Sequence, residues 1–395
     1  MGYLENLMPK YLARLGVETH VVATDLAMSF RQNAGHGEYG DFAPRNAAGT
    51  VESVDGYTLH IVGHKRVLGQ IRMAGLKKKL ALLRPDVVQT MTPIGWIGLD
   101  AALFKRSLGY QLFTGCHYHA SVFPIAGKKT RPLSSEWLQC LVTRTAPGRL
   151  VSLATKKCYA IAQDCAEIAE RFFGVERGKI TICPLGVDQE IFYPVADDAD
   201  FASRVGLRRR LGFAENEIVC VYSGRFSEEK NPLLLAKAVE RLFRNGAPYR
   251  GLFIGNGAQV EAIAACAGCK THPFVNVKEL GSFYRAADIG VWPAQESMSM
   301  LDAAACGVPI VANHTMTARE RLDGNGLAYR LNDLDDLVRV LQELRDAETR
   351  IHMGKLGARK MAREYGWESI ARERLRDYET ALDSLRPFRE TAISE

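Results

Sequence analysis

The sequence predicts an α/β protein of two doubly wound domains that face a cleft, each domain built on a parallel sheet. Apolar strands alternate with amphipathic helices along most of the 395 residues, a pattern typical of parallel sheets covered by helices on both faces. Pro184, Gly186 and Pro194 interrupt the alternation near the middle, and the length suits two domains. We expect an N-terminal domain over residues 1–190, a C-terminal domain over 191–365, and a helix over 366–395 that crosses back to the first domain.

Hydrophobic spacing defines the elements of the first half. Leu4, Leu7, Met8 and Tyr11 recur at helical spacing before Gly16, which predicts a first helix. Short apolar runs predict the strands, and amphipathic stretches between them predict the other helices. In order, we expect helix 4–15, strands 19–23 and 57–62, helix 67–83, strand 86–90, helix 98–105, strands 111–114 and 158–162, helix 164–173 and strand 180–183.

The second half repeats this scheme. Its apolar runs predict strands, and the amphipathic segments between them predict helices that would cover the sheet. The expected strands are 218–222, 251–254, 275–277, 289–292 and 310–312, and the expected helices are 232–243, 259–265, 300–305, 334–344 and 367–385. Ligands of such sheets bind outside the carboxyl ends of the strands, so the loops that follow strands are where chemistry is expected.

Composition excludes several classes of protein. With 47% hydrophobic and 24% charged residues, the chain is neither disordered nor collagen-like. It contains no run of 18 apolar residues and no signal peptide at its start, and its nine scattered cysteines are typical of reduced thiols. We therefore expect a cytoplasmic protein.

The loop after strand 218–222 has the residues of a phosphate site. Gly224 lets the backbone approach a ligand, Arg225 can grip phosphate bidentately, and Lys230 lies at the entrance of the next helix, beside the positive end of its dipole. The alternative is an ordinary strand-to-helix loop with surface charges.

Two further loops contain glycine or polar residues at the same edge. Gly255 and Gly257 follow the next strand and form a tight turn. After strand 289–292 come Glu296 and residues 297–299, whose backbone N–H groups would form an anion site at a helix N-terminus. For Asp302 the alternative role is to complement that helix dipole, and for Glu296 it is solvation.

Taken together, these residues resemble the nucleotide-sugar-dependent glycosyltransferases of family 4, which have the GT-B fold of two Rossmann-like domains. Segments 184–188, 284–288, 302–309 and 365–368 resemble further motifs of the family in the correct order, so the resemblance covers nearly the whole chain. It implies a retaining sugar transfer from a nucleotide-sugar to a saccharide or lipid-linked acceptor, in cell-surface polysaccharide or glycoconjugate synthesis, without a metal, a cofactor or nucleic acid.

The resemblance also implies roles for single residues. Arg225 and Lys230 would neutralise the donor diphosphate, Asp302 would bind the ribose, and Glu296 would hold the hydroxyls of the donor sugar. Gly224, Gly255, Gly257, Ser297, Met298 and Ser299 would contact the nucleotide-sugar, and His117, which follows a strand of the first domain, would face the sugar.

The region around Glu296 departs from the family pattern. Five residues separate Glu296 from Asp302 where the family has seven, and Ser297-Met298-Ser299 replaces Gly-Phe-Gly. The shorter loop could keep Glu296 in place or move it. Two alternatives therefore accompany the main hypothesis: a nucleotide-sugar epimerase or hydrolase of the same fold, and a non-catalytic nucleotide-sugar-binding subunit.

No metal ligands are expected. Neither of the Asp-x-Asp sequences, at 198–200 and 333–335, follows a buried strand, and Cys266-x-x-Cys269 lacks a second pair of ligands. We assign His119, His272 and His314 to loop or core positions.

Basic residues are concentrated in the first half. Residues 1–190 contain 23 basic and 16 acidic side chains, and 65–149 contain 14 and 3, with clusters at Lys77–Lys79 and at Lys128, Lys129 and Arg131. The surface is either a solvated face or one that meets an anionic acceptor or anionic lipid. In the second case the protein would associate peripherally with the inner face of the membrane.

The start of the chain differs from a complete doubly wound domain, which begins with a central strand and a glycine-rich loop. Gly2 resembles the end of that loop, so the first strand is expected to be missing and the natural polypeptide to start about 15–25 residues earlier. Such a chain should express poorly. The alternative is that another segment, with residues 45–54 as a candidate, fills the central position.

Overall fold

The computed structural model describes residues 3–26, 47–119, 123, 134–316 and 319–384. They form two compact units, which divide between Leu185 and Gly186, and residues from Ile370 onward belong to the first unit. Parts of the sequence predictions lie outside the described residues: Gly2, residues 45–46, Lys128, Lys129, Arg131 and residues 385–395. No helix in the described part of the chain is both long enough and apolar enough to cross a membrane.

The first unit contains parallel strands, helices and two antiparallel hairpins. Its elements are α1 (Tyr3–Arg14), β1 (His20–Thr24), β2 (Val51–Val54), β3 (Tyr57–Val62), β4 (His64–Val67), β5 (Gln70–Met73), α2 (Leu76–Leu83), β6 (Val87–Thr90), α3 (Gly95–Leu108), β7 (Gln111–Cys116), α4 (Ser135–Cys140), a π-helical turn (Leu141–Thr145), α5 (Ala146–Ala154), β8 (Thr155–Ala160), α6 (Gln163–Arg171) and β9 (Ile180–Ile182).

These strands form three sheets. The order β6-β7-β8-β9 is parallel throughout, β1 pairs with β3 in parallel, and β4 and β5 form an antiparallel hairpin. Among the described residues β1 pairs only with β3 and β6 only with β7. Val22 of β1 and Val88 of β6 nevertheless pack against the same apolar cluster, which includes Leu80 and Leu112.

Three predictions for the first unit were wrong or incomplete. The single helix over 67–83 is instead the β4–β5 hairpin followed by α2, because Leu68 and Gly69 both have positive φ and turn the chain back. Helices α4 and α5 were not predicted. The described part of segment 45–54 does not fill a central position, because Val51–Val54 pairs antiparallel with the side of β3 away from β1.

The second unit is built on one six-stranded sheet. Its elements are α7 (Asp198–Arg210), β10 (Ile218–Ser223), α8 (Pro232–Arg244), β11 (Tyr249–Ile254), α9 (Val260–Ala264), β12 (Cys269–His272), α10 (Val277–Arg285), β13 (Ile289–Trp292), α11 (Met298–Ala305), β14 (Ile310–Asn313), a 3₁₀ turn (Arg319–Arg321), β15 (Gly326–Tyr329), α12 (Leu334–Glu343), α13 (Ala347–Glu364) and the start of α14 (Trp367–Asp383), whose later residues belong to the first unit.

The strand order of this sheet locates a binding edge. It is β12-β11-β10-β13-β14-β15, with every pair parallel. The chain runs outward from β10 to β12 and then returns to the other side at β13, so the order reverses between β10 and β13. In open α/β sheets such a reversal opens a crevice at the carboxyl ends of the strands.

One predicted strand of the second unit was wrong. Residues 275–277 are not a strand, because Asn276 caps α10 by accepting a hydrogen bond from the backbone N–H of Lys278. The outer strand is Cys269–His272 instead, beside β11. Helices α7 and α13 and strand β15 were not predicted.

Candidate functional site

Glycine residues let two loops touch at the carboxyl edge of the six-stranded sheet. Gly224 follows β10, and Gly255 and Gly257 follow β11, all with φ between 144° and 149°. A Cβ on Gly255 would lie 1.9 Å from the carbonyl oxygen of Gly224, and one on Gly257 would lie 2.6 Å from that of Phe226. The backbone N–H of Phe226 donates to the carbonyl of Asn256 at 2.8 Å. The loops therefore form one continuous backbone surface that only glycine permits.

Arg225 and Lys230 bring two cations to this surface. Arg225 is exposed and Lys230 is half-buried. Burial lowers the pKa of Lys230, and the positive charge of Arg225 lowers it further, against the opposing effect of Glu229. The loop leads into α8, whose N-cap Asn231 has φ 47° and whose first residue is Pro232. Two cations that repel each other beside a helix N-terminus favour binding of an anion.

The loop after β13 lies on the other side of the reversal in strand order. Three hydrogen bonds from the neighbouring strands hold its backbone. Asn313 donates to the carbonyls of Pro293 and Ala294 at 3.2 and 2.7 Å, and the hydroxyl of Tyr329 donates to the carbonyl of Pro293 at 2.6 Å. Ser297 caps α11, and its hydroxyl accepts from the backbone N–H of Ser299. Part of the expected anion site at 297–299 is therefore used by the protein itself, and Met298 is half-buried.

Glu296 forms an ion pair in its shortened loop. Its carboxylate lies 3.5 Å from the guanidinium of Arg321, whose side chain is only 11% exposed, whereas that of Glu296 is 29% exposed. Glu296 thus remains accessible while a largely buried cation restrains it. Arg321 was not predicted from the sequence, because it lies in a separate 3₁₀ turn and carries no local motif.

Asp302 lies in the core of the second unit. It is completely buried. Burial of Tyr284 raises the pKa of that residue, and the charge of Asp302 raises it further. The Tyr284 hydroxyl shares a 2.6 Å hydrogen bond with Ser223 at the end of β10. The carboxylate therefore belongs to a buried polar group beneath the binding edge, and its direct contact with a ribose stays a prediction.

His117 belongs to the first unit, where it follows β7. Burial, reinforced by the charges of Arg374 and His119, lowers the pKa of His117 to about 4, so its imidazole is neutral at physiological pH. The buried guanidinium of Arg374 donates to Gln89 at 2.6 Å and to Cys183 Sγ at 3.2 Å, and it stacks on the ring of Tyr159. Arg374 comes from α14 near the end of the chain, and it was not predicted because no local motif marks it.

Comparison with known proteins agrees with this architecture. The family described as "Glycosyltransferase Family 4" matches residues 8–191, and "Glycosyl transferases group 1" matches residues 217–346. A curated D-inositol 3-phosphate glycosyltransferase of Xylanimonas cellulosilytica is 30% identical over 247 residues, which is 58% of this chain and 58% of the relative. The alignment thus spans less than two thirds of the relative's length.

Solved structures share the fold at low sequence identity. Sucrose-phosphate synthase from Thermosynechococcus elongatus superposes with a TM-score of 0.66 at 15% identity, covering 95% of this chain and 92% of that one. HepE of Anabaena, solved in complex with UDP, gives a TM-score of 0.61 at 15% identity and covers 82% and 86%. These likenesses show that the two α/β units have the GT-B fold. Residues 8–191 and 217–346 therefore match glycosyltransferase domains, of family 4 and of group 1 respectively.

Proposed function

We propose that this glycosyltransferase takes its sugar from a nucleoside diphosphate donor and transfers it with retention of anomeric configuration. The observation that carries the proposal is the position of Arg225 and Lys230 at the strand-order reversal, beside the N-terminus of α8. Transfer breaks the bond between the anomeric carbon and the diphosphate, and the electron pair stays on the phosphate oxygen. Positive charge fixed at that point stabilises the transition state.

The residues around this cation pair suit the other parts of a donor. Because Gly224, Gly255 and Gly257 have no side chains, a ligand can approach the backbone of their loops closely. Glu296, which is paired with Arg321, offers a carboxylate to sugar hydroxyls. The UDP in the structurally similar Anabaena protein supports a uridine nucleotide as the first donor to test. His117, with its neutral imidazole, is proposed to contact the sugar.

Substitution of the two cations tests the proposal. Arg225→Ala and Lys230→Ala should each lower kcat/KM by about tenfold or more, because each removes charge that opposes the leaving diphosphate. Lys237→Ala is the matched control, since Lys237 is an exposed cation on α8 itself. The measurement is release of nucleoside diphosphate from a panel of nucleotide sugars. Near-normal turnover in both variants would refute the phosphate site.

The acceptor is proposed to be a saccharide or a lipid-linked sugar. A second candidate is a phosphorylated polyol, because the curated relatives are named D-inositol 3-phosphate glycosyltransferases. Parallel assays with inositol 3-phosphate and with lipid-linked saccharides distinguish the two. Donor consumption that is independent of any acceptor would instead favour the hydrolase alternative.

We also propose that the first unit docks on anionic membrane. Lys77 and Lys78 of α2 are exposed, whereas Lys79 is half-buried. Large apolar side chains accompany them on the same unit: Leu82 of α2 is 75% exposed and Leu103 of the adjacent α3 is 61% exposed. Basic and apolar groups together suit the boundary between lipid headgroups and acyl chains.

Sedimentation with phosphatidylserine vesicles tests the docking. Each basic residue near such a surface contributes about 1 kcal/mol, so Lys77→Glu with Lys78→Glu should weaken binding about thirtyfold or more. The control is Arg209→Glu with Arg210→Glu, which makes the same charge change at exposed positions of the second unit. Equal weakening by both pairs, or no wild-type binding at low salt, would contradict a specific docking face.

A further inference from the structure

Three side chains with metal-ligating atoms meet outside the proposed donor site. His119 lies in the loop after β7, and Asp164 and Cys165 lie in the first turn of α6, all within the first unit. Nδ1 of His119 is 3.1 Å from a carboxylate oxygen of Asp164 and 3.6 Å from Sγ of Cys165. All three ligand atoms lie within 4.8 Å of one another. Among the described residues, these three are the group of His, Cys, Asp or Glu side chains that lies close enough together to hold a metal ion.

The two separations that involve His119 match one coordination sphere. Zinc binds nitrogen at about 2.05 Å, oxygen at about 2.1 Å and thiolate at about 2.3 Å, so tetrahedral angles separate nitrogen from oxygen by about 3.4 Å and nitrogen from sulfur by about 3.6 Å. The observed separations of 3.1 and 3.6 Å are close to both values. Imidazole, carboxylate and thiolate are also the three ligand types that zinc takes in proteins.

Burial differs among the three residues in a way that suits an ion with a free position. Cys165 is completely buried, whereas the side chains of His119 and Asp164 are 45% and 38% exposed. The sulfur would thus approach the ion from the protein interior, and the open side leaves room for water as a fourth ligand. The sequence pattern predicts no metal here, because nothing in it places His119 beside residues 164 and 165.

We propose that His119, Asp164 and Cys165 bind one Zn²⁺ ion per chain, with water as the fourth ligand. On binding, the bond from zinc to sulfur replaces the thiol S–H bond, and one proton leaves to solvent. The carboxylate of Asp164 also accepts a hydrogen bond from the backbone N–H of Cys165 at 2.9 Å, which orients it.

The consequence of such a site would be a clamp on the loop after β7. Tyr118, between His117 and His119, packs edge-on against Phe173, which follows α6, with ring centroids 5.2 Å apart. Zinc would add a second connection between the same loop and the start of α6. The ion would therefore restrain the backbone that carries His117.

Cobalt substitution tests the site directly on the full chain. After treatment with EDTA and removal of the chelator, titration with Co²⁺ should give one ion per chain and a thiolate-to-cobalt charge-transfer band in the near ultraviolet. Cys165→Ser should abolish that band, and His119→Gln should weaken Zn²⁺ affinity by about tenfold or more. Cys269→Ser, a half-buried cysteine of the second unit, should leave both unchanged.

Three results would overturn the proposal. They are a wild-type chain without the band, a band that persists in Cys165→Ser, and an unchanged Zn²⁺ affinity in His119→Gln. Because His119 is partly exposed, its variant is expected to fold, which circular dichroism checks, and it decides the question even where Cys165→Ser does not fold. These readouts measure metal binding alone, so they are independent of whether the donor site is assigned correctly.

Discussion

Removal of the Asp288 carboxylate should lower the free energy of unfolding of the second unit more than removal of a carboxylate at the surface. Asp288 binds two arginines of α7: its oxygens lie 2.6 Å from Arg204 and 2.9 Å from Arg208. It also accepts the backbone N–H of Val219 at 2.8 Å. Since Val219 belongs to β10 and Asp288 directly precedes β13, this carboxylate joins the two strands at which the strand order reverses.

The magnitude follows from burial. Arg208 is only 3% exposed, so Asp288→Ala would leave a buried guanidinium without its counter-ion, although carbonyls of Ala214 and Ala286 would still accept from it. Breaking a buried ion pair in this way costs about 3–5 kcal/mol of the free energy of unfolding. The control is Asp335→Ala, which removes the same atoms from an exposed pair with Arg241 and should cost about 1 kcal/mol or less.

Urea-induced unfolding, followed by tryptophan fluorescence, measures this difference. Trp292 and Trp367 lie in the second unit, and both are buried, so their emission changes when it unfolds. Trp96 and Trp137 belong to the first unit, and their contribution is the same in the two variants. Asp288→Ala should shift the midpoint to lower urea far more than Asp335→Ala. Equal shifts in the two variants would show that the buried network does not hold the unit together as the geometry implies.

Two further predictions concern the donor loops. Gly255→Ala should cost about 2–5 kcal/mol of unfolding free energy, from strain at its positive φ and from overlap with Gly224. The control is Gly246→Ala, whose Cβ would meet no atom within 4 Å and which should cost about 1–2 kcal/mol. Similar values for both variants would contradict the overlap. Glu296→Gln and Arg321→Gln should each lower kcat/KM about tenfold, and the double variant should be no worse than Glu296→Gln alone, because Arg321 is inferred to act through Glu296. Steady-state kinetics of all four proteins tests this pair, and additive losses would show that the two residues act independently.

Much of the fold follows from local sequence signals. The predicted bounds of strands 57–62 and 289–292 are those observed, because a short apolar run between polar or glycine residues has few other interpretations. The prediction failed over 67–83, where helical spacing of Leu and Lys continues through a turn. There Leu68 and Gly69 adopt positive φ angles and turn the chain back. Side-chain periodicity does not reveal such a turn when only one of its two residues is glycine.

The candidate site was predictable where a loop follows a strand, and only there. Gly224, Gly255 and Gly257 were found from sequence because each comes directly after an apolar strand, and their need for positive φ is local to the residue. Arg321 and Arg374 were not found. Each reaches its partner across the fold, Glu296 in one case and Gln89 in the other, so no spacing along the chain records the contact.

The buried arginine of α14 explains why the end of the chain belongs with its first half. Arg374, Asp377 and Tyr378 lie on one side of α14, and all three contact the first unit: Arg374 and Tyr378 bind Gln89, and Asp377 binds Lys157 and Tyr159. An arginine is rarely buried unless its donors are satisfied, and here Gln89, Cys183 and the face of Tyr159 satisfy it. Burial is the main cause of the lowered pKa of His117, and the positive charge of Arg374 lowers that pKa further. The last helix is therefore part of the electrostatic environment of His117, and not only a support for the first unit.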